Sequence, residues 1–140
     1  MKKIQTLIVG LTICLSALAE PSWIKVTESD FESIYIDTKS VVTDGPMVVV
    51  DEVINRHKTN DVFNVVSFIS SVEYDCLNEE KATIKQRTTT EFFGLGKVLS
   101  DTSKSKRWRG SGWTVINEGN KFHKVMDSLC VNNPYFKKAY

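Results

Sequence analysis

A chain of 140 residues, 41% hydrophobic and 25% charged, is long enough for one domain with a real core and has the composition of an ordinary soluble globular protein. Its length leaves no room for two domains of ordinary size, and no internal repeat, low-complexity tract or interdomain linker interrupts it. The net charge is only +1, but it is unevenly placed.

The first residues stand apart from the core. Lys2 and Lys3 form a basic start, Ile4 to Leu15 an apolar stretch, and Ala17-Leu18-Ala19 a small-residue cleavage site before Glu20. The apolar stretch is too short for a permanent membrane span. Residues 1–19 therefore read as a secretory signal and residues 20–140 as a single exported domain, with its address in the periplasm, the medium or the cell surface. A lipoprotein signal needs a small residue before its cysteine, and Ile13 precedes Cys14, so Cys14 is expected to leave with the signal unlipidated. Losing residues 1–19 removes two lysines and leaves 16 basic against 17 acidic residues. From Glu20 to Glu80 there are four basic and thirteen acidic residues; from Lys81 to Tyr140, twelve basic and four acidic. Such asymmetry fits either an interaction surface or acidic and basic strands paired across one face.

Beyond Glu20, Trp23–Val26 predicts a short strand and Ile34–Ile36 a second, which runs into a turn at Asp37–Ser40. Val41-Val42 leads to the turn signal Asp44-Gly45-Pro46. Met47–Ile54 is a β-branched run interrupted by Asp51-Glu52, and Arg56–Asp61 is a polar loop. Two long strands follow, Val62–Cys76 and Lys81–Phe93, joined by Leu77–Glu80. On the second, Ala82, Ile84 and Phe92 are expected on one face and Lys81, Lys85 and Arg87 on the other. Gly94-Leu95-Gly96 marks a turn, Lys97–Ser100 a strand, Asp101–Gly112 a polar loop and Trp113–Ile116 a last short strand. Phe122, Met126 and Cys130 recur every four residues, joined by Val125 and Leu129, and predict a helix with Asn120 as its N-cap and an end near Asn132-Asn133-Pro134.

Alternation puts Val66, Phe68, Val72, Tyr74 and Cys76 on one strand face, and helical spacing puts Cys130 on the apolar side of the helix. Two thiols on buried sides of their elements, in an oxidising compartment, point to one Cys76–Cys130 disulfide stapling the helix to the sheet. The fold class is α+β but mainly β: an antiparallel sheet, one face open to water and the other covered by a C-terminal helix.

No catalytic constellation emerges. The cysteines lack C-x-x-C spacing or a nearby base. His57 lies between Arg56 and Lys58, His123 lies beside the apolar helix stripe, and no metal-ligand spacing joins them. No phosphate-loop or dinucleotide pattern calls for a cofactor, and the adjacent Asp51 and Glu52 must point to opposite faces. The remaining candidate is a basic loop, in which Lys104, Lys106, Arg107 and Arg109 surround Trp108. It can grip a sulfated sugar or another polyanion by charge and stacking, or it is a solvated loop with Trp108 folded onto the sheet edge. Export argues against nucleic acid as a partner.

Trp23-x-x-Val26, Tyr35-Ile36-Asp37-x-x-Ser40 and Glu73-Tyr74-Asp75-Cys76, followed by Phe92-x-Gly94-x-Gly96-x-Val98, Trp113-x-x-Ile116 and the late Cys130, resemble the surface-adhesin protein E family of exported bacterial proteins. The resemblance implies a six-stranded antiparallel sheet with a C-terminal helix tethered by Cys76–Cys130. It also implies a non-enzymatic adhesin for host matrix or plasma glycoproteins, the naming member being lipid-anchored. Here the sequence departs in three places: Met47–Ile54 lacks a tryptophan, Glu118-Gly119-Asn120 replaces a Pro-Gly-Ser, and no lipidation signal is present. The alternative is a periplasmic accessory protein that binds an envelope partner through its sheet.

Overall fold

A computed structural model describes residues 20–57, 62, 64–108 and 110–136. The proposed signal with Cys14, and Arg109 of the basic loop, lie outside the described residues. Among the described residues, eight strands make one antiparallel sheet: β1 Trp23–Glu28, β2 Glu32–Asp37, β3 Val42–Asp44, β4 Met47–Arg56, β5 Ser67–Asp75, β6 Glu80–Thr89, β7 Val98–Asp101 and β8 Thr114–Val115. Six of them follow the path β1-β2-β4-β5-β6-β7, while the short β3 pairs with β4 and β8 with β6. The one α-helix among the described residues, α1 (His123–Cys130), follows the last strand.

The alternation expected of β5 holds. Phe68, Ser70, Val72 and Tyr74 stand opposite Ile54, Glu52, Val50 and Val48 of β4 without a slip in register. This face carries the core, in which Ile34, Ile36, Val48, Val50, Val72 and Tyr74 pack beneath Ile116, Val125 and Met126. Burying such side chains stabilises by roughly 1.5–3 kcal/mol each. The Cys76–Cys130 disulfide fixes the helix on this face, with Cα atoms 5.6 Å apart.

β5 is shorter than the periodicity predicts. Asn64 has φ of 50°, a left-handed turn that breaks extension, although Val66 still bonds the backbone of Arg56 and Thr89. The helix begins at His123 rather than directly after Asn120. Asn120 accepts the Phe122 amide on Oδ1 at 2.9 Å and the His123 amide on its carbonyl oxygen at 3.0 Å, so it organises the turn before the helix.

β6 departs most from expectation. Opposite β5, Ser71 pairs with Lys85 and Val72 with Thr83, so Ile84 is bulged out. The bulge shifts the alternation by one residue. Lys81 consequently lies with Tyr74 on the helix-covered face, whereas Lys85 and Arg87 lie on the opposite one. The expectation of three basic residues on one face is corrected accordingly.

The second face is not simply open to water. Phe93 packs edge-on against Tyr35, with ring centroids 4.8 Å apart, and tilted against Trp23 at 6.3 Å. This 3-10 turn, Phe92–Gly94, is held by buried polar side chains: Asn55 Oδ1 accepts the Phe93 amide at 3.0 Å and Ser67 Oγ the Gly94 amide at 3.2 Å. Cover on both faces explains why the adjacent Glu52 and Val53 of β4 are both buried.

Candidate functional site

The basic loop leaves the sheet at the end of β7. Thr102 Oγ1 accepts the Gln86 amide at 2.7 Å and donates to the Gln86 carbonyl, which fastens the loop's start to β6. The Ser103 hydroxyl and amide both donate to Asp101, and this bonding holds the Asp101 carboxyl below its usual range, helped by Lys104 and Arg87. Lys104 is 81% exposed by side chain, and Lys106 and Arg107 are also exposed. Trp108 is tied to the sheet. Its Nε1 donates to the Ile84 carbonyl at 2.8 Å, and the residue is 37% exposed. The ring is therefore docked on the sheet through the carbonyl that the bulge sets free, while the cations project from a loop anchored at both ends.

A cleft of about 240 Å³ adjoins this loop on the sheet face opposite the helix, lined by Asp51, Ser71, Lys85, Arg87, Asp101 and Ser103. The Ser71 hydroxyl donates to Asp51. Asp51 of β4 and Lys85 and Arg87 of β6 thus face one cleft across β5.

On the covered face, sequence reasoning missed a charged cluster. Glu52, 2% exposed, accepts the Tyr74 hydroxyl on Oε2 at 2.6 Å and the Lys81 ammonium on Oε1 at 3.4 Å. Lys81 is 8% exposed, and its Nζ lies 3.1 Å from the Phe122 ring centroid and 5.5 Å from that of Tyr74. Burial pulls the Lys81 amine below its ordinary range, against the attraction of Glu52. Burial, reinforced by the Glu52 charge, pushes the Tyr74 hydroxyl well above its own. The available signal was a pair of charged residues at positions in phase with core residues: Glu52 with Val48 and Val50, Lys81 opposite Tyr74. Asp51, as expected, points to the other face.

The histidines remain separate. His57 Nε2 meets the Ser33 hydroxyl at 2.7 Å and lies 4.0 Å from Glu28, while His123 Nδ1 is 3.7 Å from Asp127 one helical turn on. Among the described residues no helix is long and apolar enough to cross a membrane.

A twisted antiparallel sheet with one disulfide-tethered helix, an anchored basic loop and polar clefts on both faces is the frame of a small binding domain. The model of the surface-adhesin protein E family matches residues 23–131, and the chain belongs to that family. Among solved structures it is similar to crystal form II of Haemophilus influenzae protein E, at 16% identity over 79% of this chain and 88% of that one, with a TM-score of 0.58. A further Haemophilus influenzae protein E structure matches at 15% identity over 83% and 89%, TM-score 0.58, and protein E from a non-typeable strain at 15% over 83% and 81%, TM-score 0.55. At these identities the structures show a shared fold. No curated protein matches the chain. Family membership supports a surface-adhesin kind of role and an exported or cell-surface kind of protein.

Proposed function

We propose that this chain is an exported, non-enzymatic adhesin module that captures polyanionic glycans or the glycoproteins carrying them through its basic loop. The supporting observation is the anchoring of that loop. Trp108 is bonded to the Ile84 carbonyl and Thr102 to Gln86, so Lys104, Lys106 and Arg107 are displayed from an anchored backbone, whose own ordering adds little to the cost of binding. Lys85 and Arg87 line the adjacent cleft together with Asp51 and Asp101, so the positive surface is that of the loop itself.

Heparin chromatography tests this. Binding should weaken steeply with salt, because exposed charges are screened within roughly 8 Å at physiological ionic strength. Changing Lys104, Lys106, Arg107 and Arg109 to Ser or Gln should abolish retention while leaving thermal stability nearly intact, since exposed charges contribute little to folding. Retention of that variant at the parent's salt concentration would overturn the proposal.

A second reading, a periplasmic accessory protein docking an envelope partner on its sheet, is favoured by the position of β1 at one end of the strand order, with Ile24 52% exposed. Fractionating cells that carry the native signal separates the two. Surface or medium recovery supports the adhesin, and retention in the periplasm with a co-purifying envelope protein supports the accessory role.

A further inference from the structure

The Glu52–Lys81 pair has no part in the basic-loop reading, yet it is not sealed in the core. Both residues line a cleft of about 250 Å³ beside the start of α1, together with Ile54, Ser70, Gln86, Thr114, Asn120 and Phe122. We infer that this cleft holds one neutral sugar unit, a hexose or N-acetylhexosamine, with Lys81, Gln86 and Thr114 bonding its hydroxyls and Ile54 and the rim of the Phe122 ring against its apolar face.

Four observations carry the assignment. The first is charge. The lining holds one carboxylate and one ammonium, already paired at 3.4 Å, and the nearby Lys121 ammonium, 5.2 Å from the Phe122 ring centroid, is engaged by Glu32 at 2.8 Å, so a charged ligand would add a charge where those present are already paired. The second is hydrogen-bonding capacity. Glu52 only accepts and Lys81 only donates, and Lys81 has three donors but one carboxylate contact, its Nζ otherwise lying over the rings of Phe122 and Tyr74. A sugar hydroxyl, which donates and accepts at once, can take a remaining Lys81 proton and donate in turn to the side-chain oxygen of Gln86 or Thr114. The third is mixed polarity: Thr114 and Gln86 supply hydroxyl and amide groups, while Ile54 and Phe122 supply carbon surface. The fourth is rigidity. Glu52 is fixed by the buried Tyr74 hydroxyl at 2.6 Å, so the polar groups are set before a ligand arrives. The cleft is a little smaller than the roughly 300 Å³ at which pockets for drug-sized ligands begin, which suits one ring rather than an oligosaccharide.

The site uses none of the cations at 104, 106 and 107, so it stands or falls separately from the polyanion proposal. Amide chemical-shift titrations of the exported, disulfide-intact protein test it. The probes are methyl glucoside, methyl galactoside, N-acetylglucosamine and N-acetylgalactosamine, with N-acetylneuraminic acid and a heparin tetrasaccharide as acidic comparators. Expected are saturable shifts at Lys81, Thr114, Asn120 and Phe122 with at least one neutral sugar, little changed by salt and retained in the basic-loop variant. Thr114→Trp, which fills the cleft from an exposed position on β8, should weaken binding at least about tenfold. Gln86→Ala is the second variant, should the tryptophan disturb folding, and is expected to weaken binding measurably. Absence of saturable shifts with every neutral sugar overturns the inference. Shifts confined to acidic sugars or to the 104–108 loop overturn it too, as does parent-like affinity in both variants.

Discussion

Replacing Lys81 with methionine removes an ammonium but keeps most of the side chain's length, so packing against Tyr74 and Phe122 is largely preserved while Glu52 loses its counter-charge. Glu52 is then held by the Tyr74 hydroxyl at 2.6 Å. Removing one member of a buried pair costs about 3–5 kcal/mol. Two features place this case at the low end: the 3.4 Å separation is loose, and burial already lowers the Lys81 pKa, so desolvation of the parent ammonium outweighs what Glu52 returns. The expected loss is about 3 kcal/mol near neutral pH.

The pH dependence has a definite sign. Burial lowers the Lys81 amine below its ordinary value in the fold. A group lowered on folding contributes stability that is present above its unfolded value, about 10.4 here, and lost as pH falls through the folded one. Lys81→Met lacks that contribution, so its deficit should widen as pH climbs toward about 10. The double variant Glu52→Gln/Lys81→Met leaves no stranded charge and should lose only about 1 kcal/mol, far less than the single changes taken together. Equilibrium urea denaturation of the oxidised protein measures all of these. A Lys81→Met variant as stable as the parent, or with a deficit that does not widen toward alkaline pH, would refute the view that Lys81 is buried as a charge opposite Glu52.

Cys76→Ser/Cys130→Ser opens a loop whose ends are 54 residues apart, and the chain-entropy model puts its contribution at about 4 kcal/mol; an unchanged urea midpoint in oxidised and reduced parent would contradict this. Tyr74, raised well above its ordinary pKa in the fold, should lose its stabilising contribution as pH climbs past about 10, and absorbance titration should show one tyrosine ionising only on unfolding. Tyr74→Phe should remove that alkaline component at a neutral-pH cost of about 1–3 kcal/mol, because Glu52 loses a buried donor. Gly94→Ala should destabilise by about 1–3 kcal/mol, since φ is +74° there and a Cβ would stand 1.8 Å from Ile69 Cδ1; parent-like melting would remove the conformational requirement. Trp108→Ala should lower thermal stability as well as heparin retention, and a loss of retention alone would mean that the ring serves the ligand rather than the sheet.

The sheet, the helix and their covalent link were legible because each rests on a periodicity that the fold respects. Tyr74 and Cys76 keep the phase of Val72 on β5, and Cys130 keeps the phase of Met126 on α1, so the two thiols had to face each other's element. The bulge at Ile84 was not legible. Nothing in the run from Lys81 to Arg87 announces an extra residue, and without it Lys81 appears to belong with Lys85 rather than beneath the helix. The covered cluster was hidden for the same reason, compounded by Asp51-Glu52, which reads as a polar interruption although Glu52 occupies a core position. Phe93 illustrates a different limit. Its left-handed φ of 54° is offset by its own amide donating to Asn55 and that of Gly94 donating to Ser67, both acceptors distant in sequence, so no local pattern encodes it.

These details bear on which surface meets a partner. Addition of a strand from another protein needs a regular open edge with free backbone groups. β1 is interrupted by a register shift between Lys25 and Thr27, and its edge carries the Lys25–Glu28 ion pair. β7, at the other end of the order, is four residues long and its own register to β6 slips beside Thr89. Bulges, charges and short length are the devices that discourage edge pairing. The basic loop and the cleft beneath α1 have the opposite character, because buried side chains and the β6 bulge hold their polar groups in place. The Ile84 bulge serves both: it frees the carbonyl that anchors Trp108, and it turns Lys81 toward Glu52. Recognition through side chains on these two fixed surfaces therefore accounts for more of the structure than recognition through the sheet edge, and it favours the adhesin module over the accessory protein.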